Sequence, residues 1–373
     1  MALDWLDDEL DALARDNLLR ERRPPASAAG PFVVRRGRRL LNLCSNDYLS
    51  LACRPSATAA SGAGASRLVV GDLEVHAQLE QTLARWLGVE ETLLFTSGYA
   101  ANVGAVSALT GPGSVVVSDE LNHASLIDGC RLGRGRTVVV PHRDVTAVER
   151  ALAAAPESRR LVVTDGYFSM DGDLAPLAEL REVCDRQRAG LYVDEAHALG
   201  VLGREGRGAC AAAGVQPDVR MGTLGKAFGA GGAFIGGSSS LVRWMWNRAR
   251  AFVFSTGLPP VVAATALAAF PEVEGGLRAA RLQRNVEVFR GALAEGGVMI
   301  ASSSVGPIIP LLIGDAEHAI RLAEALLEHG LFVHPIRPPT VSRGTSRLRL
   351  TVQADHPPEA LTAAAHAIAE VTR

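Results

Sequence analysis

"RLVVTDGYFSMDGDLAPLAELREVCDRQRAGLYVDEAH", residues 160–197, decides the fold. It opens on a short apolar run, passes through a turn into "APLAELREVCDRQRA", whose apolar residues recur at helical spacing, and closes on a second apolar run, "GLYVDEAH". Strand, helix and strand in so few residues make a parallel crossover unit. The same alternation extends in both directions. Upstream lie a helix in "LEVHAQLEQTLARWLG" (73–88), a strand in "TLLFTS" (92–97) and a helix in "GYAANVGAVSALTG" (98–111). They are followed by strands in "SVVVSDE" (114–120) and "RTVVVP" (136–141), with a helix between them in "ASLIDGCRLG" (124–133). "DVTAVERALAAA" (144–155) reads as a helix, and downstream "DVRMGTLG" (218–225) reads as another strand. Continuous apolar strands alternating with amphipathic helices predict a mainly parallel sheet covered on both faces. Ligands of such sheets gather at the carboxyl ends of the strands. Ser97, Gly98, Tyr99, His123, Ser169, Asp194, His197, Thr223 and Lys226 all follow closely on predicted strand ends.

Both flanks differ. The first 20 or so residues read as an amphipathic helix, broken by "PPASAAGPF" (24–32), and "LLNLCSNDYLSL" (40–51) reads as extended. After residue 260 the rhythm changes to long helices and short strands, as in a helix-covered antiparallel sheet. The expected division is an N-terminal helix and arm over 1–45, a large domain over 46–262 and a smaller C-terminal α/β domain over 263–373.

Composition narrows the function classes. A net charge of −2 over 373 residues gives no electrostatic reason for nucleic acid or an anionic membrane. No run of 18 apolar residues suggests a membrane span, and the start lacks the pattern of a signal peptide. Cys44, Cys53, Cys130, Cys184 and Cys210 are scattered, which points to free thiols in a cytoplasmic protein, with no metal site.

Of the 38 basic side chains, one is a lysine, Lys226, in "GTLGKAFG" (222–229). Arginine stays protonated, whereas lysine can lose its proton and condense with a carbonyl. The carbonyl could belong to a substrate, as in an aldolase, or to pyridoxal phosphate, an electron sink for carbanions. The second option makes four demands. Asp194 could keep a pyridine nitrogen protonated, or merely cap a turn. Ser97 and Gly98 start a helix where a phosphate could sit, or where a plain N-cap suffices. Thr223, Ser255 and Thr256 offer hydroxyls for the same phosphate. His123 could cover the ring, and His197 could meet its phenolic oxygen; either could equally be structural. In "SRLRL" (346–350) Arg347 and Arg349 share one strand face, where one could clamp a carboxylate or both could be solvated. Nucleotide loops fail on inspection. Arg220 and Ala227 break the P-loop pattern around Lys226, and Arg67 breaks the glycine fingerprint in "GAGASR".

From about Arg20 to the last helix the chain resembles the α-oxoamine synthase family. The matching stretches include "CSNDYLSL", "LLFTSGYAANVG", "ELNHASLIDG", "VVTDGYFSMDGDLAPLAEL", "YVDEAHALGVLGREGRG", "GTLGKAFG" and "FSTGLPP". The resemblance implies the aspartate-aminotransferase-like fold (type I), with a seven-stranded sheet, pyridoxal phosphate as cofactor and a homodimer whose active sites lie at the interface. It implies that Lys226 holds the cofactor and moves the α-proton, Asp194 pairs with the ring nitrogen, His197 meets the phenolic oxygen and His123 stacks on the ring and touches substrate. Gly98, Tyr99, Ser169 and Thr223 become cofactor contacts, and Ser255 and Thr256 serve the neighbouring subunit's phosphate. Asn46 lies near the cofactor, Arg349 holds the amino-acid carboxylate, and Arg20 and Thr340 border the acyl group. "RPPT" (337–340) is similar to the branch that condenses L-alanine with a pimeloyl thioester, carried on coenzyme A or on acyl carrier protein. Arg20, Arg22 and Arg23 would suit either phosphate-bearing carrier. Glycine with acetyl-CoA, another amino acid with a longer acyl thioester, and a non-catalytic scaffold subunit are the alternatives within the superfamily. Gly64-Ala65, Leu68 and Ala198-Leu199 depart from the family pattern, which bears on substrate shape and not on the chemistry.

Overall fold

The computed structural model describes residues 3–20 and 30–373. Arg22 and Arg23 lie outside the described residues. Along the chain, helix α1 (Trp5–Arg15) and the hairpin strands β1 (Phe32–Arg35) and β2 (Arg38–Asn42) precede α2 (Glu74–Leu87). Then come β3 (Glu91–Phe95), α3 (Gly98–Leu109), β4 (Ser114–Asp119), α4 (Ala124–Gly133), β5 (Arg136–Val140), α5 (Val145–Ala153) and β6 (Arg159–Asp165). They lead into α6 (Leu177–Gln187), β7 (Gly190–Asp194), α7 (Gly208–Ala212), β8 (Val219–Thr223) and β9 (Ala233–Gly237). Helices α8 (Ser239–Arg248), α9 (Arg250–Val253), α10 (Pro260–Glu274) and α11 (Leu277–Glu295) follow. The chain closes with β10 (Ile308–Gly314), α12 (Ala316–Glu328), β11 (Leu331–Phe332), β12 (His334–Ile336), β13 (Ser346–Thr351) and α13 (Pro358–Thr372).

The larger of two compact units covers 47–169 and 173–280. Its seven-stranded sheet runs β3-β9-β8-β7-β6-β4-β5. Strand β9 is antiparallel to both neighbours, and the remaining pairs are parallel. The crossover unit of residues 160–197 is β6–α6–β7, at the middle of the sheet. Valines and leucines of these strands are buried, as strands covered on both faces require. Leu93, Phe95, Ala105, Val116, Val163, Tyr192, Met221 and Ile235 belong to one core cluster beneath α3, α4 and α8.

Strand β9 is the strand of the seven-stranded sheet that periodicity did not suggest. Its sequence, AFIGG, ends in two glycines and has one β-branched residue, so it carries little strand signal. The glycines answer to packing: a Cβ on Gly237 would stand 2.6 Å from Leu241 Cδ2 and 2.7 Å from the Asp218 carbonyl oxygen.

The smaller unit covers 1–46, 170–172 and 281–373. The cut near 280 lies beyond the expected boundary at 262 because α10 packs on α2 of the large unit, and the N-terminal arm groups with the C-terminal residues. This unit holds an antiparallel sheet β10-β13-β12 and a second sheet β1-β2-β11. Pro310 is accommodated in edge strand β10, opposite Arg349. No helix among the described residues is long and apolar enough to cross a membrane, and no His, Cys, Asp and Glu cluster among them could hold a metal ion.

Candidate active site

Asp194 is the last residue of β7 and is buried. Its Oδ1 accepts from the Ala196 amide at 2.8 Å and its Oδ2 from Asn102 Nδ2 at 2.7 Å. Asn102 lies on α3, fully buried, where it accepts from the Tyr192 hydroxyl at 2.7 Å and donates also to Ser125 Oγ at 2.8 Å. Ser125 in turn meets His123 Nδ1 at 2.7 Å. His123 caps α4, and its backbone amide donates to Asp165 Oδ2 at 2.7 Å. Burial pushes the His123 imidazole below its usual pKa; Asp194 opposes this and Lys226 adds to it. Burial also pushes the Asp165 carboxyl well up, helped by the charge of Asp194. Two acidic side chains, Asp165 and Asp194, at neighbouring strand ends thus stand close to a single cation.

That cation is Lys226, in the loop after β8. Its Nζ lies 2.7 Å from His197 Nε2, and His197 Nδ1 lies 2.8 Å from the hydroxyl of the fully buried Tyr48. Thr223 Oγ1 donates to the Gly232 carbonyl at 3.1 Å and accepts from the Gly225 amide at 3.3 Å, which shapes the turn before the lysine. Lys226, His197, Asp194 and His123 are therefore joined to one another by hydrogen bonds or by charge at one edge of one sheet.

Helix α3 starts beside this group. Ser97 caps it, accepting from the Ala100 amide at 3.1 Å. A Cβ on Gly98 would meet nothing nearer than Met221 Cε at 3.5 Å, so protein packing alone does not demand glycine there. A group resting on the helix start would demand it. Tyr99 is exposed and hydrogen-bonds Asp128. Ser169 is half-buried in the turn after β6. Ser255 is half-buried and Thr256 exposed in a loop that the Gly257 amide ties to the Ala65 carbonyl at 2.9 Å.

Two further predicted pairs lie within the smaller unit. Arg349 Nη1 donates to Asn46 Oδ1 at 3.1 Å, and Arg20 Nη2 donates to Thr340 Oγ1 at 3.2 Å. The alternation in "SRLRL" is real, but a solvated face is not what it builds, since all six residues of β13 are buried. Arg347 is satisfied by Asp171 and by the carbonyls of Met170 and Thr345. One acceptor of Arg349 is the neutral amide of Asn46.

Tyr48, Asn102, Ser125, Asp165 and Tyr192 were not singled out from the sequence. All are buried polar groups on elements that were themselves legible. Only the asparagine within the otherwise small and apolar "YAANVGAV" offered a signal, because a buried amide must find partners.

A family model described as aminotransferase class I and II matches residues 38–368. An 8-amino-7-oxononanoate synthase of Anaeromyxobacter dehalogenans is 50% identical, over 95% of this chain and 92% of that protein. One of Geobacter sulfurreducens is 48% identical, over 97% and 96%. A solved serine palmitoyltransferase of Sphingomonas wittichii superposes with a TM-score of 0.91 at 30% identity, covering 100% of this chain and 97% of that one. The chain belongs to the aminotransferase class I and II family. Within it the chain is an α-oxoamine synthase similar to the 8-amino-7-oxononanoate synthases, an acyltransferase of biotin synthesis with pyridoxal phosphate as its cofactor. The donor set fits that cofactor: one reactive amine, one buried carboxylate, and a helix start whose glycine leaves room for a phosphate.

Proposed function

We propose that the chain condenses L-alanine with a pimeloyl thioester, on coenzyme A or acyl carrier protein, giving 8-amino-7-oxononanoate, carbon dioxide and the free thiol. The observation that carries this reading is the pairing of the chain's single lysine with His197, with Lys226 and Asp194 both acting by charge on His123. Pyridoxal phosphate, when bound, supplies an electron sink for negative charge at the amino-acid α-carbon. Lys226 would anchor the cofactor through its ε-nitrogen and would be the group that takes the α-proton of the amino acid. Asp194 would keep the ring nitrogen protonated, since a nearby carboxylate favours a charged ring. His197, oriented by Tyr48, meets the phenolic oxygen. His123 covers the ring and meets substrate. The start of α3 at Gly98 and Tyr99 receives the phosphate, with Thr223 and Ser169 as further contacts. Arg349 clamps the amino-acid carboxylate and Asn46 lies near the cofactor. Arg20 and Thr340 border the acyl chain. The protein works in the cytoplasm as a homodimer, in which Ser255 and Thr256 reach the neighbouring subunit's phosphate.

The test is a titration of the purified protein's visible spectrum with L-alanine, glycine and L-serine, followed by product analysis with pimeloyl thioesters. A band that responds at the lowest concentrations of L-alanine, with 8-amino-7-oxononanoate as product, supports the reading. A band that responds best to glycine or serine keeps the chemistry and overturns the substrate.

A further inference from the structure

His123 has two ring nitrogens, and the residues around it decide which carries the proton. Asp194, as a carboxylate, can only accept. The amide group of Asn102 that faces it at 2.7 Å must therefore be Nδ2, with Oδ1 turned to the Tyr192 hydroxyl. The second hydrogen of Nδ2 goes to Ser125 Oγ at 2.8 Å. Ser125 Oγ, accepting there, has its own hydrogen available for His123 Nδ1 at 2.7 Å. A second observation gives the same direction independently. The backbone amide of Ser125, which can only donate, points at Nδ1 from 3.3 Å. Two donors converge on Nδ1, so the proton of the neutral ring sits on Nε2, which makes no hydrogen bond within the described residues.

We infer that Asn102 and Ser125 are positioning residues that carry the direction of Asp194's hydrogen bond to His123 and fix it as an Nε2–H donor, unable to act as a base at that nitrogen. The tautomer follows from the chain's own geometry. Its use rests on the proposed reading in which Asp194 and His123 face the cofactor. In that reading, a fixed N–H at Nε2 steadies negative charge on an oxygen: the thioester oxygen during acyl attack, or the ketone oxygen as carbon dioxide leaves. Lys226 is left as the group that accepts the α-proton. Asp194, Lys226 and Asp165 are the ionisable groups around the ring, and burial favours its neutral form.

The test reads the tautomer directly. Holoenzyme is labelled with [15N]histidine, and the signals of His123 are identified by their loss in His123→Asn. The visible cofactor band is checked first. A protein that takes up pyridoxal phosphate without any band removes the cofactor reading, whereas a normal band with the wrong tautomer removes this inference alone. The expected result is a protonated Nε2 and a hydrogen-bonded, unprotonated Nδ1. A protonated Nδ1, or a ring that averages both forms, overturns the proposal. Ser125→Ala, which keeps only the longer backbone contact at 3.3 Å, is expected to weaken the preference for the Nε2–H tautomer and lower kcat by roughly 10- to 100-fold with little change in KM for the amino acid, as loss of an orienting partner does. Ser125→Thr, which keeps the hydroxyl, is expected to restore both. An equal loss of kcat in Ser125→Ala with the tautomer unchanged would contradict the positioning role.

Discussion

His123 and His142 stand in the loops that leave β4 and β5, neighbouring strands of one sheet, and their surroundings treat them oppositely. Both are desolvated. His142 is held by a carboxylate at each nitrogen, Asp119 at 3.0 Å and Asp173 at 2.9 Å, and packs edge-on against Phe168. Burial lowers its pKa, but hydrogen bonds to the two carboxylates outweigh this and raise it to about 9. His123 has a hydroxyl and an amide on one nitrogen and no protein partner on the other within the described residues, and its pKa is lowered. A histidine saturated by carboxylates is a charged clamp, and its place here is structural. A neutral histidine with one nitrogen pinned and one available is equipped for chemistry. Both were equally visible as letters, and only the partners separate them.

The contrast can be broken by removing each residue in turn, with Lys226 as the outer bound. Lys226→Ala is expected to lower kcat by more than about 10⁴-fold, beyond the range for one acid–base group, because anchor and proton carrier are lost together; steady-state turnover checks it. His123→Asn is expected to lower kcat by roughly 10²- to 10⁴-fold while leaving urea stability near that of the parent. Arg349→Ala is expected to act on binding, raising KM for L-alanine by about 10- to 100-fold through loss of a charged hydrogen-bonded contact. Its neighbour Arg347, paired to Asp171, should affect folding instead. His142→Ala inverts the pattern, with kcat nearly unchanged and unfolding free energy lower by about 2 kcal/mol. A raised pKa in the folded state means that the protonated ring stabilises the fold. That contribution is complete below the ordinary value of 6.5 and disappears as pH rises through about 9. The stability gap between parent and His142→Ala should therefore be widest in mild acid and narrow above pH 9, as urea unfolding at several pH values would read. A gap that widens with pH would contradict the clamp.

The sequence made the frame legible because its physics is local. Apolar runs of strand length, helical periodicity and the polar residues that end each run are properties of neighbours along the chain. They located the parallel sheet and put Asp194 and Lys226 at its carboxyl edge. Strand β9 escaped because glycines serve its packing and leave no alternation to read. The partners of the site escaped for a different reason. Asn102 reaches Asp194 across 92 positions and Tyr48 reaches His197 across 149, distances at which periodicity carries no information. The same holds for Arg347, whose burial depends on Asp171, 176 residues away. Even so, the rarity of lysine was legible from counting alone, and it pointed at Lys226, the residue to which the proposed function assigns the cofactor.

That residue also permits the most direct measurement. Holoenzyme treated with borohydride and digested can be mapped by mass spectrometry, and since the chain holds one lysine the assignment is unambiguous. The account predicts a single phosphopyridoxyl group on Lys226, lost when excess L-alanine is present before reduction. Cofactor bound without any label on Lys226, or a label that L-alanine leaves in place, would contradict it.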